Sequence, residues 1–180
     1  MLKKVILIIL LIPIILVLIS LALPSSYKVR RALTIKGKPD AVFILVNTLK
    51  QWPEWSAWTV ARFPDMQLAY SGPESGPGAT YSWTGKSSGD GTLKITSSDP
   101  AQGITYDLDF EHGKYLCQGT IALRPVTDAV EVTWSNRGQL GWNPVSRYFG
   151  LLMDRMMGPD METGLHNLQR RVEPEPGTRN

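Results

Sequence analysis

The sequence predicts an α+β fold in which a curved antiparallel sheet wraps around a long C-terminal helix, with one transmembrane helix ahead of it. Three observations predict this. The first 24 residues are almost wholly apolar. From Met66 the apolar residues alternate with a period of two and keep doing so for about seventy residues. From Asn143 the spacing returns to the helical one and holds nearly to the end of the chain.

The segment 1–24 carries its only charges at Lys3, Lys4 and the terminal amine, and Val5 to Leu23 is uncharged. As a helix that run extends about 28 Å, close to the hydrocarbon thickness of a bilayer. A cleaved signal peptide is the competing reading, with Lys3 and Lys4 as its basic start and Ser20-Leu21-Ala22 as its cleavage site. The apolar run is longer than the usual signal core, which favours a retained anchor. A short basic tail ahead of such a segment stays inside, so the expectation is a single-pass membrane protein whose following domain is exported.

Residues 25–172 form one domain of ordinary size. "YKVRRALTIKG" suggests a first strand, with Val29, Ala32 or Leu33, and Ile35 in imperfect alternation. "KPDAVFILVNTLKQW" reads as a helix with Pro39 in its first turn and Asp40 at its positive end. Val42, Leu45, Val46 and Leu49 lie on one side of it, and "WPEWSAW" adds a short turn. Six strands follow, at Met66 to Ser71, Ala79 to Thr84, Gly91 to Ser97, Gly103 to Glu111, Tyr115 to Val126 and Ala129 to Asn136, each bounded by Gly, Pro, Asp or Ser. In "GITYDLDFE", Ile104, Tyr106, Leu108 and Phe110 share the dry face, and Asp107, Asp109 and Glu111 the wet one.

The last helix starts with Asn143 as N-cap and Pro144 at its first position. Gly158-Pro159 predicts a kink or brief break. Val145, Phe149, Leu152, Met153 and Met156 make one apolar face that Met161, Leu165, Leu168 and Val172 continue, so the whole helix needs a sheet to cover. The final "EPEPGTRN", residues 173–180, has no apolar residue and reads as a disordered tail.

In "ALTIKGKPDAVFILVNTLKQWPEWSAW", "YSGPESGPGATYSW", "YDLDF", "VTWS" and "GLLMDRMMGPDMETGLHNL", the chain from Arg31 to Leu168 resembles the SRPBCC or START-like superfamily, in its polyketide cyclase/dehydrase and lipid transport branch. The resemblance implies the helix-grip arrangement and a cavity between sheet and helix. The superfamily hosts lipid carriers, hormone sensors and cyclases, so fold alone does not choose among them.

Several apparent motifs dissolve in context. Gly85-Lys86-Ser87 imitates a P-loop, but the glycine required five positions earlier is Thr80, and a strand follows instead of a helix. Gly85-Lys86-Ser87-Ser88-Gly89 imitates a nucleophile elbow with the same wrong flank, so a hairpin turn is expected. The glycine-rich "SGPESGPG" reads as a chain reversal that can also edge a cavity. His112, His166 and the lone Cys117 have no metal-ligand spacing, so neither a metal nor another cofactor is expected. A net charge of +3, partly due to Lys3 and Lys4, gives no basic patch for nucleic acid.

The sheet's inward positions predict a ligand cavity lined by Tyr81, Trp83, Ile95, Tyr106, Leu108, Phe110 and Trp134, with Phe149, Met153 and Met156 opposite. Almost nothing there can move a proton. Trp52, Trp55 and Trp58, spaced by three, either close the end of the core, form a lid, or rest on the membrane as an interfacial belt. The leading expectation is a membrane-anchored domain that binds a hydrophobic or amphipathic small molecule, for example a lipid. One alternative is a cyclase or dehydrase using Tyr81, Tyr106, His112 or Glu74. Another is a ligand-free interaction or envelope module that presents the tryptophans.

Overall fold

The computed structural model describes residues 2–173, with side chains from residue 10 onward, so most of the tail expected over 173–180 lies outside the described residues. The order is α1 (Leu2–Ala22), β1 (Ser26–Lys36), α2 (Pro39–Asn47), a 3-10 turn (Leu49–Gln51), α3 (Trp52–Trp55), β2 (Gln67–Ser71), β3 (Thr80–Thr84), β4 (Gly91–Asp99), β5 (Gly103–Phe110), β6 (Tyr115–Val126), β7 (Ala129–Gln139) and α4 (Pro144–Val172). The expected α+β helix-grip architecture is present.

All seven strands form one antiparallel sheet in the order β1-β7-β6-β5-β4-β3-β2. The meander from β2 to β7 follows from the short turns between strands. β1 is added at the far edge, in register from Ser26 opposite Gln139 to Lys36 opposite Ala129. A register shift between Ile95 and Ser97 leaves Thr96 as an extra residue in β4, a bulge that bends the sheet. The inner face buries Val29, Leu93, Ile95, Ile104, Ile121, Leu123, Val130 and Val132.

The imperfect alternation of β1 has a specific cause. Its inward series includes Arg31, whose Nη1 lies 2.7 Å from Asp154 of α4 and whose Nε also bonds Glu162. This is possible because position 158 is glycine, where a Cβ would stand 2.0 Å from the Arg31 guanidinium. The same pair of residues, Gly158-Pro159, does not break α4, which runs continuously over 29 residues. Of the expected kink or brief break, the break is therefore corrected. The Asn143 side chain caps α4 as expected, accepting from the backbone N–H groups of Val145 and Ser146.

A second correction concerns the apolar face of α4. Met161, Leu165 and Leu168 are buried against the core. Val145, Phe149, Leu152 and Met156 are exposed, because they lie on a different side of the helix from Asp154, which bonds Arg31 of β1, and Gly150, which packs on Leu140.

The transmembrane helix expected at the N-terminus is not established. Among the described residues no helix is long and apolar enough to cross a membrane, and the side chains of α1 are described only from Leu10. From Leu10 to Leu21 the large apolar side chains of α1 are exposed.

Candidate functional site

Between the sheet and the middle of α4 lies a cavity of about 300 Å³. Its floor comes from alternate residues of successive strands, Tyr81 and Trp83 on β3, Leu93 on β4, Tyr106, Leu108 and Phe110 on β5, and Trp134 and Asn136 on β7. One wall is Trp52 with Ser56, Ala57 and Trp58. The roof is Met153, Met156, Met157, Asp160 and Met161 of α4. Packing explains why space remains here. Gly164 lets α4 press onto Trp134, where a Cβ would come within 2.7 Å of the indole, while Met153, Met156 and Met157 roof the open space earlier in the helix.

Of the ten residues expected in the cavity, Tyr81, Trp83, Tyr106, Leu108, Phe110, Trp134, Met153 and Met156 line it. Ile95 does not. It faces inward but lies wholly within the core, away from the cavity. Phe149 does not either, because it belongs to the exposed half of α4.

The tryptophans separate by position. Trp52 and Trp55 are buried, and their indole N–H groups donate to the carbonyls of Val46 at 2.8 Å and Leu45 at 3.2 Å, near the end of α2. Carbonyls at a helix C-terminus lack partners within the helix, and here the indoles supply them. Trp52 packs edge-on against Tyr106 and Trp134 at centroid distances of 5.6 and 6.2 Å. These two rings close the core and cannot rest on a membrane or a partner. Trp58 follows the end of α3, so the spacing of three no longer aligns it with the others. It is half-buried in the cavity wall, 4.7 Å from Phe63.

The polar groups of the cavity form one small network. Trp134 Nε1 donates to the Tyr106 hydroxyl at 2.7 Å, which donates to Asn136 Oδ1 at 2.8 Å. The Asn136 amide nitrogen meets only the Met161 sulfur, at 3.8 Å. Thioether sulfur is a weak acceptor, so this amide keeps hydrogen-bonding capacity. Burial pushes the Tyr106 phenol far above its ordinary pKa, and Tyr81 likewise. Both stay protonated near neutral pH and serve as hydrogen-bonding groups, not as bases.

The indole N–H groups of Trp58 and Trp83 are the buried side-chain polar atoms without a partner among the described residues. Each such donor costs about 1–3 kcal/mol. Asp160 is the carboxylate at the cavity's rim, and it is paired with Arg62 at 2.6 Å. His112 is exposed on the β5–β6 hairpin, 3.3 Å from Asp90, His166 is exposed on α4, and Glu74 is exposed in the β2–β3 loop. None of the three approaches the cavity. No cluster of metal-ligating side chains occurs among the described residues.

Gly85 to Asp90 forms the expected hairpin turn between β3 and β4. Ser87 donates from its backbone N–H and hydroxyl to Asp65, and Gly85 N–H donates to Asp90. The serine is thus occupied in fixing a turn. "SGPESGPG" likewise reverses the chain outside the cavity, with Gly72 required where a Cβ would meet the Gly78 carbonyl at 2.3 Å. Cys117 is buried beside Tyr27, and burial pushes its thiol up to about 11.

Sequence reasoning missed Asn136, Ser56, Ala57, Met157, Asp160 and Met161. Asn136 was findable, because the inward alternation Val130, Val132, Trp134 continues directly to it.

A family model described as polyketide cyclase / dehydrase and lipid transport matches residues 26–173. No curated protein matches the chain. Solved structures share the fold at low identity. A hypothetical protein from Helicobacter pylori, jhp0584, aligns with a TM-score of 0.62 and 8% identity over 81% of this chain and 88% of its own. The protein TTHA0849 from Thermus thermophilus aligns with a TM-score of 0.56 and 19% identity over 81% and 96%. The di-domain ARO/CYC BexL from the BE-7585A biosynthetic pathway aligns with a TM-score of 0.58 and 17% identity, over 81% of this chain and 46% of BexL.

Proposed function

The chain belongs to the polyketide cyclase / dehydrase and lipid transport family, and from that premise we propose that it is a membrane-tethered binding protein for a hydrophobic or amphipathic small molecule. The observation that carries the proposal is the cavity between sheet and α4, walled by aromatic rings and methionines. Its volume of about 300 Å³ is at the small end of ligand sites and about twice that of an engineered apolar cavity that holds benzene. The enclosed portion of the ligand is therefore a one- or two-ring or short-chain group, and a longer tail would leave past Met153 and Met156. Methionine side chains adapt to such groups without fixing one shape. An oxygen acceptor on the ligand would engage the Asn136 amide and offset the unpaired indole donors.

Anchoring by α1 is part of the proposal. It rests on the sequence, in which the uncharged run from Val5 to Leu23 would extend about 28 Å as a helix, close to the hydrocarbon thickness of a bilayer. Retention, and not cleavage, is supported by Arg147. This nearly buried guanidinium donates to the carbonyls of Ser20, Leu21 and Leu23 at 3.1, 3.0 and 3.2 Å and to that of Gly141 at 3.1 Å, and removal of α1 would take away the Ser20 and Leu21 acceptors. The domain lies on the exported side in this reading, which a reporter fusion at the C-terminus tests.

A cyclase-type reaction in the same cavity would need a group that takes up or releases a proton. The hydroxyl of Tyr106 is engaged by Trp134 and Asn136, and Asp160 is held by Arg62, so binding is the better-supported reading.

Fluorescence titration of the full chain in detergent with a naphthalene-sized apolar probe tests the proposal. Saturable quenching of tryptophan emission is expected, and Ala57→Phe, which fills the cavity from its wall, should abolish it. Equal quenching in both proteins, or none in either, would defeat the reading.

A further inference from the structure

We propose that the first half of α4 lies in the membrane interface next to α1, so that the cavity opens toward the acyl chains of the leaflet and receives its ligand from the bilayer. The inference rests on the anchoring proposed for α1 and goes beyond it by assigning a lipid surface to a face of the folded domain.

The first observation is the face itself. Val145, Phe149, Leu152 and Met156 follow one another at helical spacing and are 63, 54, 50 and 59% exposed, with Trp142 just before the helix 83% exposed. Contiguous apolar exposure of this kind marks an interaction surface.

The second observation is depth. The Tyr148 hydroxyl donates to the Leu16 carbonyl at 2.7 Å. Leu16 lies six residues before the end of α1, about 9 Å back along the helix axis. The start of α4 is therefore held level with the apolar part of α1. Interfacial helices bury their apolar face about 5–10 Å into the headgroup boundary, a range within which this point of contact along α1 falls.

The third observation is chemical. Trp142, Arg147 and Tyr148 are residue types that suit the interface between acyl chains and water. Arg147 stacks over the Trp142 ring at 5.4 Å and closes the last carbonyls of α1, so that anchor and interfacial helix form one unit. α1 also exposes its apolar side chains from Leu10 to Leu21, and the two helices are joined at Arg147 and Tyr148. Met153 and Met156, which line the cavity, lie on this same half of α4.

Spin-label accessibility of the full chain in phosphatidylcholine vesicles tests this. Single labels at Ile12→Cys, Leu152→Cys and, on the outer sheet face, Gln118→Cys are compared, with the unsubstituted chain as blank because Cys117 is buried. Collision with oxygen several-fold favoured over a water-soluble nickel chelate is expected at Ile12 and Leu152, and the reverse at Gln118. Lipid exposure at Ile12 with water exposure at Leu152 would overturn the interfacial placement while leaving the anchor standing. Water exposure at Ile12 would defeat the anchor and the placement together. Dipolar broadening between labels at Leu152 that persists on dilution into excess lipid, without oxygen preference, would assign the face to a second copy and overturn the proposal.

Discussion

The two halves of α4 carry the same kind of apolar face in sequence and meet opposite fates in the structure. Met161, Leu165 and Leu168 are nearly inaccessible, whereas Val145, Phe149, Leu152 and Met156 are each at least half exposed. Periodicity reports which side of a helix is apolar; it does not report what covers that side. In the second half, Gly164 and Gly158 bring the helix down onto Trp134 and Arg31. In the first half the helix also meets α1, through Arg147 and Tyr148, and leaves its apolar stripe without cover among the described residues. The cavity sits where one regime gives way to the other.

The largest expected effect lies in the second half. Leu168→Ala removes a fully buried side chain and should lower unfolding free energy by about 2–5 kcal/mol, read from urea titration of the full chain in detergent. Leu152→Ala, an equal deletion in the first half, should change it by no more than about 0.5 kcal/mol. Similar losses at both sites would break the comparison.

Gly164→Ala sharpens it. Alanine gains about 1 kcal/mol in helix propensity, but its Cβ meets a packed Trp134 ring at 2.7 Å, and overpacking costs about 1–3 kcal/mol. We expect a net loss of about 1 kcal/mol and altered probe binding, since Trp134 is a cavity wall. A gain in stability would show that α4 is not pressed onto the sheet at this point.

The smallest effect concerns pH. Burial raises the Tyr81 and Tyr106 phenols, so the folded chain keeps protons that the unfolded chain sheds near pH 10. Their contribution to stability is complete below about pH 10 and is lost as pH rises beyond it. Tyrosinate absorbance from these two residues should therefore appear together with unfolding. Its appearance while the chain remains folded would mean that the cavity floor is wetter than the structure shows.

Much of this was legible in the sequence. Strand alternation placed the β meander to within a few residues, and Asn143-Pro144 marked the start of α4, because these features depend on local geometry and capping. Which strand face is apolar also indicated that Tyr81, Trp83, Tyr106, Leu108, Phe110 and Trp134 face the space under α4. The failures were tertiary. Arg31 interrupts the apolar face of β1 because its partners, Asp154 and Glu162, are more than a hundred residues away in the chain. Of the readings open for the tryptophans, closing the core holds for Trp52 and Trp55, and what spacing did not show is that their indoles take the final carbonyls of α2. The Gly158-Pro159 pair suggested a kink or brief break, and the helix runs through it unbroken from Pro144 to Val172.

The most direct test of the central claim is native mass spectrometry of the full chain released gently from membranes, beside its Ala57→Phe variant. The account predicts that the wild-type chain carries a noncovalent apolar molecule and that the variant has lost it. An intact wild-type chain with no bound molecule, or the same molecule on both proteins, would contradict it.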